Sequence, residues 1–198
     1  METQARHLHV EIGMGRGAFL AQFAKAHPKD LCIGIERASA WFKYAQEHIV
    51  ALGLSNVELL NIPAEDFLTQ QTTKPCVSNY FVLFPDPWPK KDQRRRRVLC
   101  PRNIKRFWHT LLPHGQVTFA TDHLDYFKAI EKLMATEFPL SFTREQLSAL
   151  PFKTHYQQKY ERQGRPLYFV RWTKTAFPPG LIRSNPIDLA FAKSISAH

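Results

Sequence analysis

Residues 8–26 read Leu-His-Val-Glu-Ile-Gly-Met-Gly-Arg-Gly-Ala-Phe-Leu-Ala-Gln-Phe-Ala-Lys-Ala, and they indicate the fold class more clearly than any other stretch. The apolar opening, Leu8–Ile12, is typical of a buried strand, and the glycines of residues 13–17 predict a turn. Ala18–Ala26 then has the periodicity of a helix. A strand that passes through a glycine-rich turn into a helix is half of a βαβ unit, so this stretch predicts an α/β domain.

The same alternation continues along the chain and predicts a doubly wound, mostly parallel sheet with an antiparallel late strand. Further strands are predicted at Leu31–Ile35, Val57–Leu60, Tyr80–Phe84, Gln116–Ala120, Leu140–Thr143 and Leu167–Trp172. Helices are predicted at Ala38–Leu52, Ala64–Leu68 and Arg102–Leu112, and from Tyr126 to about Glu137, with a turn at Pro113-His114-Gly115 before the fifth strand.

Length and composition predict one globular domain. The 198 residues suffice for one well-packed domain and not for two ordinary ones, and 44% hydrophobic residues argue against general disorder. We expect a single domain over residues 1–172 and a C-terminal surface tail over 173–198. The sequence shows no signal segment and no apolar run of membrane-spanning length. The cysteines have neither metal-ligand nor disulfide spacing, so we expect a soluble cytoplasmic protein without a metal site.

The charge balance predicts a polyanionic partner. The formal net charge is +10 and the pI is about 9.7. Much of this charge lies in residues 84–97, Phe-Pro-Asp-Pro-Trp-Pro-Lys-Lys-Asp-Gln-Arg-Arg-Arg-Arg, directly after a predicted strand. Open α/β sheets bind ligands at the carboxyl ends of their strands, and an acid and an aromatic ring beside basic residues indicate chemistry on a nucleic acid. A solvated basic face is the alternative.

The glycine-rich turn predicts a nucleotide-like cofactor. Gly13 and Gly15 allow backbone amides to approach a ligand, and with Ala18 they also satisfy the G-x-G-x-x-A pattern of dinucleotide-binding folds. Glu36 ends the second strand, where it can accept hydrogen bonds from ribose hydroxyls of either NAD or S-adenosylmethionine. Glu11 would repel a pyrophosphate but suits the cationic ammonium and sulfonium of S-adenosylmethionine. A methyl donor is therefore favoured, with an NAD-type oxidoreductase and a ligand-free turn as alternatives.

Five motifs carry a resemblance to a known family: Glu11-Ile-Gly-Met-Gly15, Gly34-Ile-Glu36, Phe84-Pro-Asp-Pro-Trp-Pro-Lys90 with its arginines, Thr121-Asp122, and Lys159-Tyr-Glu161-Arg-Gln-Gly164. Over residues 8–172 the chain resembles the bacterial-type tRNA (guanine-N7)-methyltransferases. The resemblance implies a Rossmann-like class I S-adenosylmethionine-dependent methyltransferase, with S-adenosylhomocysteine as product. Its implied substrate is the variable-loop guanine of tRNA, conventionally position 46. Monomer, homodimer and assembly with a partner subunit all stay open.

The resemblance also implies roles for individual residues. Asp86 is expected at the catalytic centre. Because this acid follows a strand at the edge of the predicted sheet, we hypothesise that it accepts hydrogen bonds from the N1–H and N2–H₂ edge of guanine, which adenine lacks. The residues expected to bind the cofactor are Glu11, Gly13, Gly15, Glu36, Arg37, Ala64 and Glu65. The residues expected to bind tRNA are Lys90, Arg94, Arg95, Arg96, Arg97, Asp122, Gln158 and Glu161.

Some of these positions have a structural alternative. Trp88 would stack on a base or fill the core, and Asp122 would bind substrate or cap the following helix. Glu161 would bind substrate or pair with Arg162 or Arg165. Two positions depart from the family pattern: Pro63 replaces an Asp or Asn, and Gln158 replaces a threonine. These departures are the only support for a second hypothesis, a catalytically silent RNA-binding protein on a methyltransferase scaffold.

Overall fold

A computed structural model describes residues 7–70, 75–176 and 178 of the chain. Within these residues the chain forms seven strands, six α-helices and a 3₁₀ segment, Lys91–Arg96. The strands are β1 Leu8–Ile12, β2 Leu31–Ile35, β3 Val57–Leu60, β4 Val77–Leu83, β5 Leu111–Thr121, β6 Phe142–Leu147 and β7 Tyr168–Lys174. The helices are α1 Ala18–Ala26, α2 Ser39–Ala51, α3 Ala64–Gln70, α4 Pro101–Thr110, α5 Leu124–Glu137 and α6 His155–Arg162.

The strands form one sheet in the order β3-β2-β1-β4-β5-β7-β6. Neighbours from β3 through β5 pair in parallel, whereas β7 pairs antiparallel with both β5 and β6. This topology confirms the predicted mostly parallel sheet with an antiparallel late strand. The strand order reverses between β1 and β4, and the carboxyl ends of strands at such a reversal form the usual ligand crevice of open α/β sheets.

Both faces of the sheet are buried. Val10, Tyr80 and Phe119 belong to the larger core cluster, which the helices α3, α4 and α5 help to form. Phe81 and Phe19 belong to the second cluster, which α1 helps to form on the opposite face. Burial on both faces explains why the strands read as continuous apolar runs, and it holds their carboxyl ends in fixed register at the crevice.

Several elements differ from the sequence prediction. The predicted Pro113-His114-Gly115 turn lies inside β5, where it appears as an irregularity: Val77 pairs with Leu111, but Asn79 pairs with Gln116. The 3₁₀ segment and α6 have no counterpart in the prediction. Strand β7 continues past the expected boundary at residue 172 to Lys174, whose ammonium donates a hydrogen bond to the Leu111 carbonyl at 2.6 Å. Most of the expected tail lies outside the described residues.

Two absences apply to the residues that the structure describes. None of their helices has the length and apolar character needed to cross a membrane. They also contain no cluster of three or more His, Cys, Asp or Glu side chains that could hold a metal ion.

Candidate active site

The glycine-rich turn after β1 adopts a backbone conformation that other residues rarely take. Gly13 and Gly15 have φ angles of 75° and 54°, values in the left-handed region where a Cβ atom would be strained. The amides of Gly13 and Met14 both donate to the Ile35 carbonyl, at 2.8 and 3.1 Å. These bonds tie the turn to the end of β2, so the two sequence-predicted glycines shape the floor of the crevice.

A cleft of about 230 Å³ opens above this turn. Its walls come from the end of β1, the turn itself, the start of α2, the end of β4 and the first turns of α6. Its lining residues include Glu11, Gly13, Gly15, Arg16, Tyr156 and Lys159. Helix α6 is distant in sequence from the glycine-rich turn, and only the fold makes it a wall of the same cleft.

Glu11 is a buried acid at this cleft. The residue is only 2% exposed, and its Oε2 has no hydrogen-bond partner among the described residues. Burial raises the pKa of Glu11 to about 8, and the nearby Glu36 carboxylate adds to this effect. A buried acid oxygen without a partner is costly, and a ligand cation in the cleft would remove that cost.

Glu36 connects the turn to β2. Its Oε2 accepts a hydrogen bond from the Gly15 amide at 3.1 Å, and its Oε1 accepts one from the Ala38 amide at 2.8 Å. Each carboxylate oxygen can accept a further bond, so both oxygens keep the capacity to accept ribose hydroxyls. Glu36 therefore positions the glycine-rich turn, a role that the sequence did not predict.

The other residues expected to bind the cofactor do not line the cleft. Arg37 is exposed, and its Nη2 lies 3.9 Å from Oδ2 of Asp86. Ala64 and Glu65 are half-buried in the first turn of α3, after β3. They follow the strand next to β2, but they do not line the cleft. The structure thus brings Glu11, Gly13 and Gly15 together and places Arg37 next to the Asp86 loop.

The loop with Asp86 is held in a strained conformation. Phe84 and Trp88 have φ angles of 53° and 42°, and non-glycine residues in this region cost about 1–3 kcal/mol each. The Phe84 amide donates to the Ala120 carbonyl at 2.7 Å, which anchors one end of the loop to β5. The carboxylate of Asp86 stays 70% exposed. Such strain at an exposed acid is typical of functional loops.

Arg97 holds the other end of this loop, so the expectation that it binds phosphate is wrong. The residue is only 7% exposed. Its guanidinium donates to the carbonyls of Pro87 and Trp88, at 2.8 and 3.4 Å, and lies 4.3 Å from the centre of the Tyr126 ring. A buried guanidinium with these partners positions the backbone of the loop and does not reach solvent.

The remaining basic residues of this stretch face solvent. Lys90, Arg94, Arg95 and Arg96 are exposed, the three arginines within the 3₁₀ segment. The Arg96 guanidinium lies 5.0 Å from the centre of the Trp88 ring. Trp88 itself is half-buried and belongs to neither core cluster, so the interpretation of Trp88 as a core residue is wrong.

Asp122 and Glu161 have partners that the sequence did not predict. Asp122 accepts a hydrogen bond from Arg165 at 2.7 Å, whereas the following helix is capped by His123, whose Nδ1 accepts from the Tyr126 amide. Glu161 accepts from Lys153 at 2.7 Å and from Gln157 at 3.0 Å, and these bonds lower its pKa. The helix-cap alternative for Asp122 and the arginine pairs for Glu161 are therefore wrong.

Gln158 and Glu161 both belong to α6, and Gln158 is half-buried there. The helix begins at Thr154, whose hydroxyl accepts from the Gln157 amide at 2.9 Å. A threonine three residues before such a donor is a recognised N-cap pattern, and it was the signal available in the sequence. Because α6 was not predicted, no individual role was expected for Tyr156, Lys159 or Tyr160.

Comparisons with known proteins agree with this geometry. A family model described as "Putative methyltransferase" matches residues 5–170. The tRNA (guanine-N(7)-)-methyltransferase of Bacillus cytotoxicus is 32% identical over 169 residues, covering 82% of this chain and 77% of that protein. The enzyme of the same name from Streptococcus pneumoniae strain CGSP14 is 30% identical over 168 residues, covering 82% and 79%. The chain belongs to the tRNA (guanine-N7-)-methyltransferase family.

Solved structures support the fold of this family member. An rRNA methylase from Streptococcus thermophilus superposes with a TM-score of 0.61 at 14% identity, covering 86% of this chain and 87% of that one. SMU.1697c from Streptococcus mutans, solved in complex with S-adenosylhomocysteine, superposes with a TM-score of 0.60 at 12% identity, covering 86% of this chain and 90% of that one. At such identities the likeness shows the fold, and it confirms the predicted class I methyltransferase architecture.

Within this family fold the site has two neighbouring parts. The first is the cleft with Glu11, Gly13 and Gly15, closed on one side by α6. The second is the sheet edge with the exposed Asp86 and the half-buried Asp122, beside the basic 3₁₀ segment. Arg37 connects the two parts, because it follows the end of β2 by two residues and its guanidinium lies 3.9 Å from the Asp86 carboxylate.

Proposed function

We propose that the protein transfers the methyl group of S-adenosylmethionine to N7 of the variable-loop guanine of tRNA, position 46, in the cytoplasm, leaving S-adenosylhomocysteine. The proposal rests on Glu11, which is buried at the cleft and whose Oε2 has no partner among the described residues. Glu11 lies near the end of β1, and the neighbouring strand β4 leads into the loop with the exposed Asp86. Membership of the tRNA (guanine-N7-)-methyltransferase family supports the substrate.

The cleft fits the charged parts of S-adenosylmethionine. The Oε2 atom of Glu11, which has no partner among the described residues, would accept a hydrogen bond from the ammonium group of S-adenosylmethionine. The carboxylate of the cofactor would lie near Arg16 and Lys159, two cations that line the cleft. The Gly13–Gly15 turn leaves room for the ligand beside the backbone, because a Cβ on Gly13 would meet nothing within 4 Å. Glu36, Arg37, Ala64 and Glu65 would bind the nucleoside. When bound, the cofactor supplies an electrophilic methyl group on a sulfonium.

The acceptor needs positioning and no general base. N7 of guanine carries a neutral lone pair, so no proton has to leave before the methyl group is attacked. Holding the reacting atoms in line can supply on the order of 7 kcal/mol. Asp86 would select guanine, because its exposed carboxylate can accept from N1–H and N2–H₂, and the Arg37 guanidinium at 3.9 Å is too distant for a hydrogen bond.

The tRNA backbone would contact the basic surface beside Asp86. Lys90, Arg94, Arg95 and Arg96 are exposed next to the loop, and such residues bind phosphates through charge and hydrogen bonds. Asp122, Gln158 and Glu161 would line the path of the variable loop. The protein would act as a monomer or homodimer, and a partner subunit stays compatible with this surface.

Transfer to defined tRNAs tests the proposal. The purified protein is incubated with labelled S-adenosylmethionine and two transcripts, one with guanine and one with adenine at position 46. We expect label on the guanine transcript alone, with strand cleavage at that site by N7-methylguanine chemistry. Binding of both transcripts without label on either would contradict the proposal and favour the silent RNA-binding hypothesis.

Asp86→Asn tests the origin of base choice. The amide offers a donor where guanine needs acceptors, so we expect methyl transfer to fall by at least about tenfold, because a hydrogen bond to a charged group contributes about 1.5–3 kcal/mol. Affinity for S-adenosylhomocysteine, measured by calorimetry, should stay unchanged. Glu137→Gln, which neutralises an exposed acid at the end of α5, is the matched control. Loss of cofactor affinity in Asp86→Asn would contradict the assignment.

A further inference from the structure

Three aromatic side chains connect the cofactor cleft with the Asp86 loop. Tyr156 lines the cleft and is 40% exposed. Its ring centre lies 6.0 Å from that of Tyr160, one turn further along α6. Tyr160 in turn meets Phe84 edge-on, with ring centres 5.9 Å apart. Because Phe84 begins the loop that carries Asp86, these three residues form an aromatic wall that runs from the cleft to this loop.

The outer part of this wall already holds a planar cation. The Arg165 guanidinium lies 4.9 Å from the centre of the Tyr160 ring. The same guanidinium donates to Asp122 at 2.7 Å. Burial and the Asp122 carboxylate raise the pKa of the Tyr160 phenol, so the ring stays neutral at physiological pH. Arg165 is exposed in the connection between α6 and β7, and its side chain can leave this position without disturbing an element.

Methyl transfer converts guanine into such a cation. The N7 lone pair forms the new N–C bond, the electrons of the broken C–S bond stay on sulfur, and no proton moves. Positive charge therefore passes from sulfur to the purine ring. Aromatic faces and carboxylates attract a planar cation more strongly than a neutral ring, and groups that bind the developing charge accelerate the reaction.

We propose that the target guanine stacks on Tyr160, flanked by Tyr156, in the position that the Arg165 guanidinium occupies in the structure. Tyr160 and Asp122 then bind the base more tightly as it becomes cationic, while Asp86 reads its Watson–Crick edge. Tyr160 is thereby a catalytic residue that touches the reacting base. This inference rests on the proposed function.

Binding of three tRNAs in the presence of S-adenosylhomocysteine tests the stacking. They carry guanine, an abasic site or 7-methylguanine at position 46. Tyr160→Phe keeps the ring and should match the wild type. Tyr160→Leu keeps the apolar bulk and should bind the guanine tRNA about fivefold or more weakly, as expected for loss of one base–aromatic stack, with the abasic tRNA unchanged. Equal losses on both tRNAs, or no loss, would overturn the stacking.

The 7-methylguanine tRNA tests the charge. Tyr160→Leu should weaken binding of the 7-methylguanine tRNA by a larger factor than binding of the guanine tRNA. Equal factors would overturn the preference of Tyr160 for the cationic base. Tyr44→Leu removes another exposed tyrosine, on α2, and should not change the ratio between guanine and abasic tRNA. Methylation by the wild type separates the two proposals. If the wild type does not methylate guanine, the proposed function fails. If the wild type does, and Tyr160→Leu still binds the guanine tRNA more tightly than the abasic tRNA by the wild-type ratio, only the stacking fails.

Discussion

Because Glu11 is buried, we expect both the stability of the fold and cofactor binding to depend on pH. Its pKa is raised to about 8 by burial, whereas an ordinary glutamate in an unfolded chain has a pKa near 4.3. Between these values the folded state keeps a proton that the unfolded state has lost. The contribution of Glu11 to the free energy of unfolding therefore falls with rising pH across this window, by up to about 1.4 kcal/mol per pH unit.

A cation beside Glu11 favours its carboxylate, so cofactor binding should release a proton. We expect the affinity for S-adenosylhomocysteine to rise from about pH 6 to about pH 8, approaching tenfold per pH unit. Glu11→Gln should bind more weakly and lose this slope. Calorimetry in buffers of different ionisation enthalpy measures both the affinity and the released proton. The same pH slope in Glu11→Gln and wild type would contradict the assignment.

Arg97 and Arg95 are neighbours in sequence with different environments. Arg97→Ala would leave the Pro87 and Trp88 carbonyls without their donor, so we expect a loss of about 1.5–3 kcal/mol in the free energy of unfolding, as for hydrogen bonds to charged groups. Arg95→Ala, which removes an exposed side chain, should change it by no more than about 0.5 kcal/mol. Urea denaturation measures both, and equal losses would contradict the structural role of Arg97.

At the scale of elements, we expect the 3₁₀ segment Lys91–Arg96 to bind polyanions, because none of its residues is buried and four of the six are basic. The double variant Arg94→Gln/Arg95→Gln should therefore weaken tRNA binding and reduce the slope of log affinity against log salt by about 0.7–0.9 for each phosphate that the variant no longer binds. Filter binding over a salt series measures this slope. Lys25, in the last turn of α1, lies at the opposite end of the parallel strands, so Lys25→Gln should leave the slope unchanged. An unchanged slope in the double variant would contradict phosphate binding by the 3₁₀ segment.

Helix α6 is the element on which the two parts of the site depend together. Its first turn lines the cofactor cleft, and its Tyr160 meets the Asp86 loop. Glu161, at its far end, is held by Lys153 and Gln157. A shift of this one helix would therefore change the wall of the cleft and the contact with the Asp86 loop at the same time.

At the scale of the whole molecule, ligand binding should report through stability. A ligand that binds only the folded state adds about 2.7 kcal/mol at a concentration of 100 times its Kd. For a chain of 198 residues this corresponds to a rise in Tm of roughly 5–10 °C. We expect S-adenosylhomocysteine to produce this rise and NAD to produce none, measured by differential scanning fluorimetry. Stabilisation by NAD alone would contradict the methyl-donor cleft.

The local pattern of the chain was sufficient for much of the fold. The bounds of β1, α1, β2 and β3 agree with those expected from apolar runs and glycines, because these signals depend on neighbours in sequence. Glu11 and the glycines of the turn were also predictable, since they lie on one continuous strand-turn-helix stretch. Helix α6 was not, because its polar residues carry little apolar periodicity and a single threonine marks its start.

Contacts between distant segments determined the rest. Arg97 follows three other arginines and looks like them in sequence, but the loop after β4 and Tyr126 of α5 enclose it. Glu36 could be placed at the end of β2, yet its bond to Gly15 depends on how β1 and β2 pair. The aromatic wall of Tyr156, Tyr160 and Phe84 joins residues more than 70 positions apart. Periodicity reports which face of an element is buried, whereas only packing in three dimensions determines what that face meets.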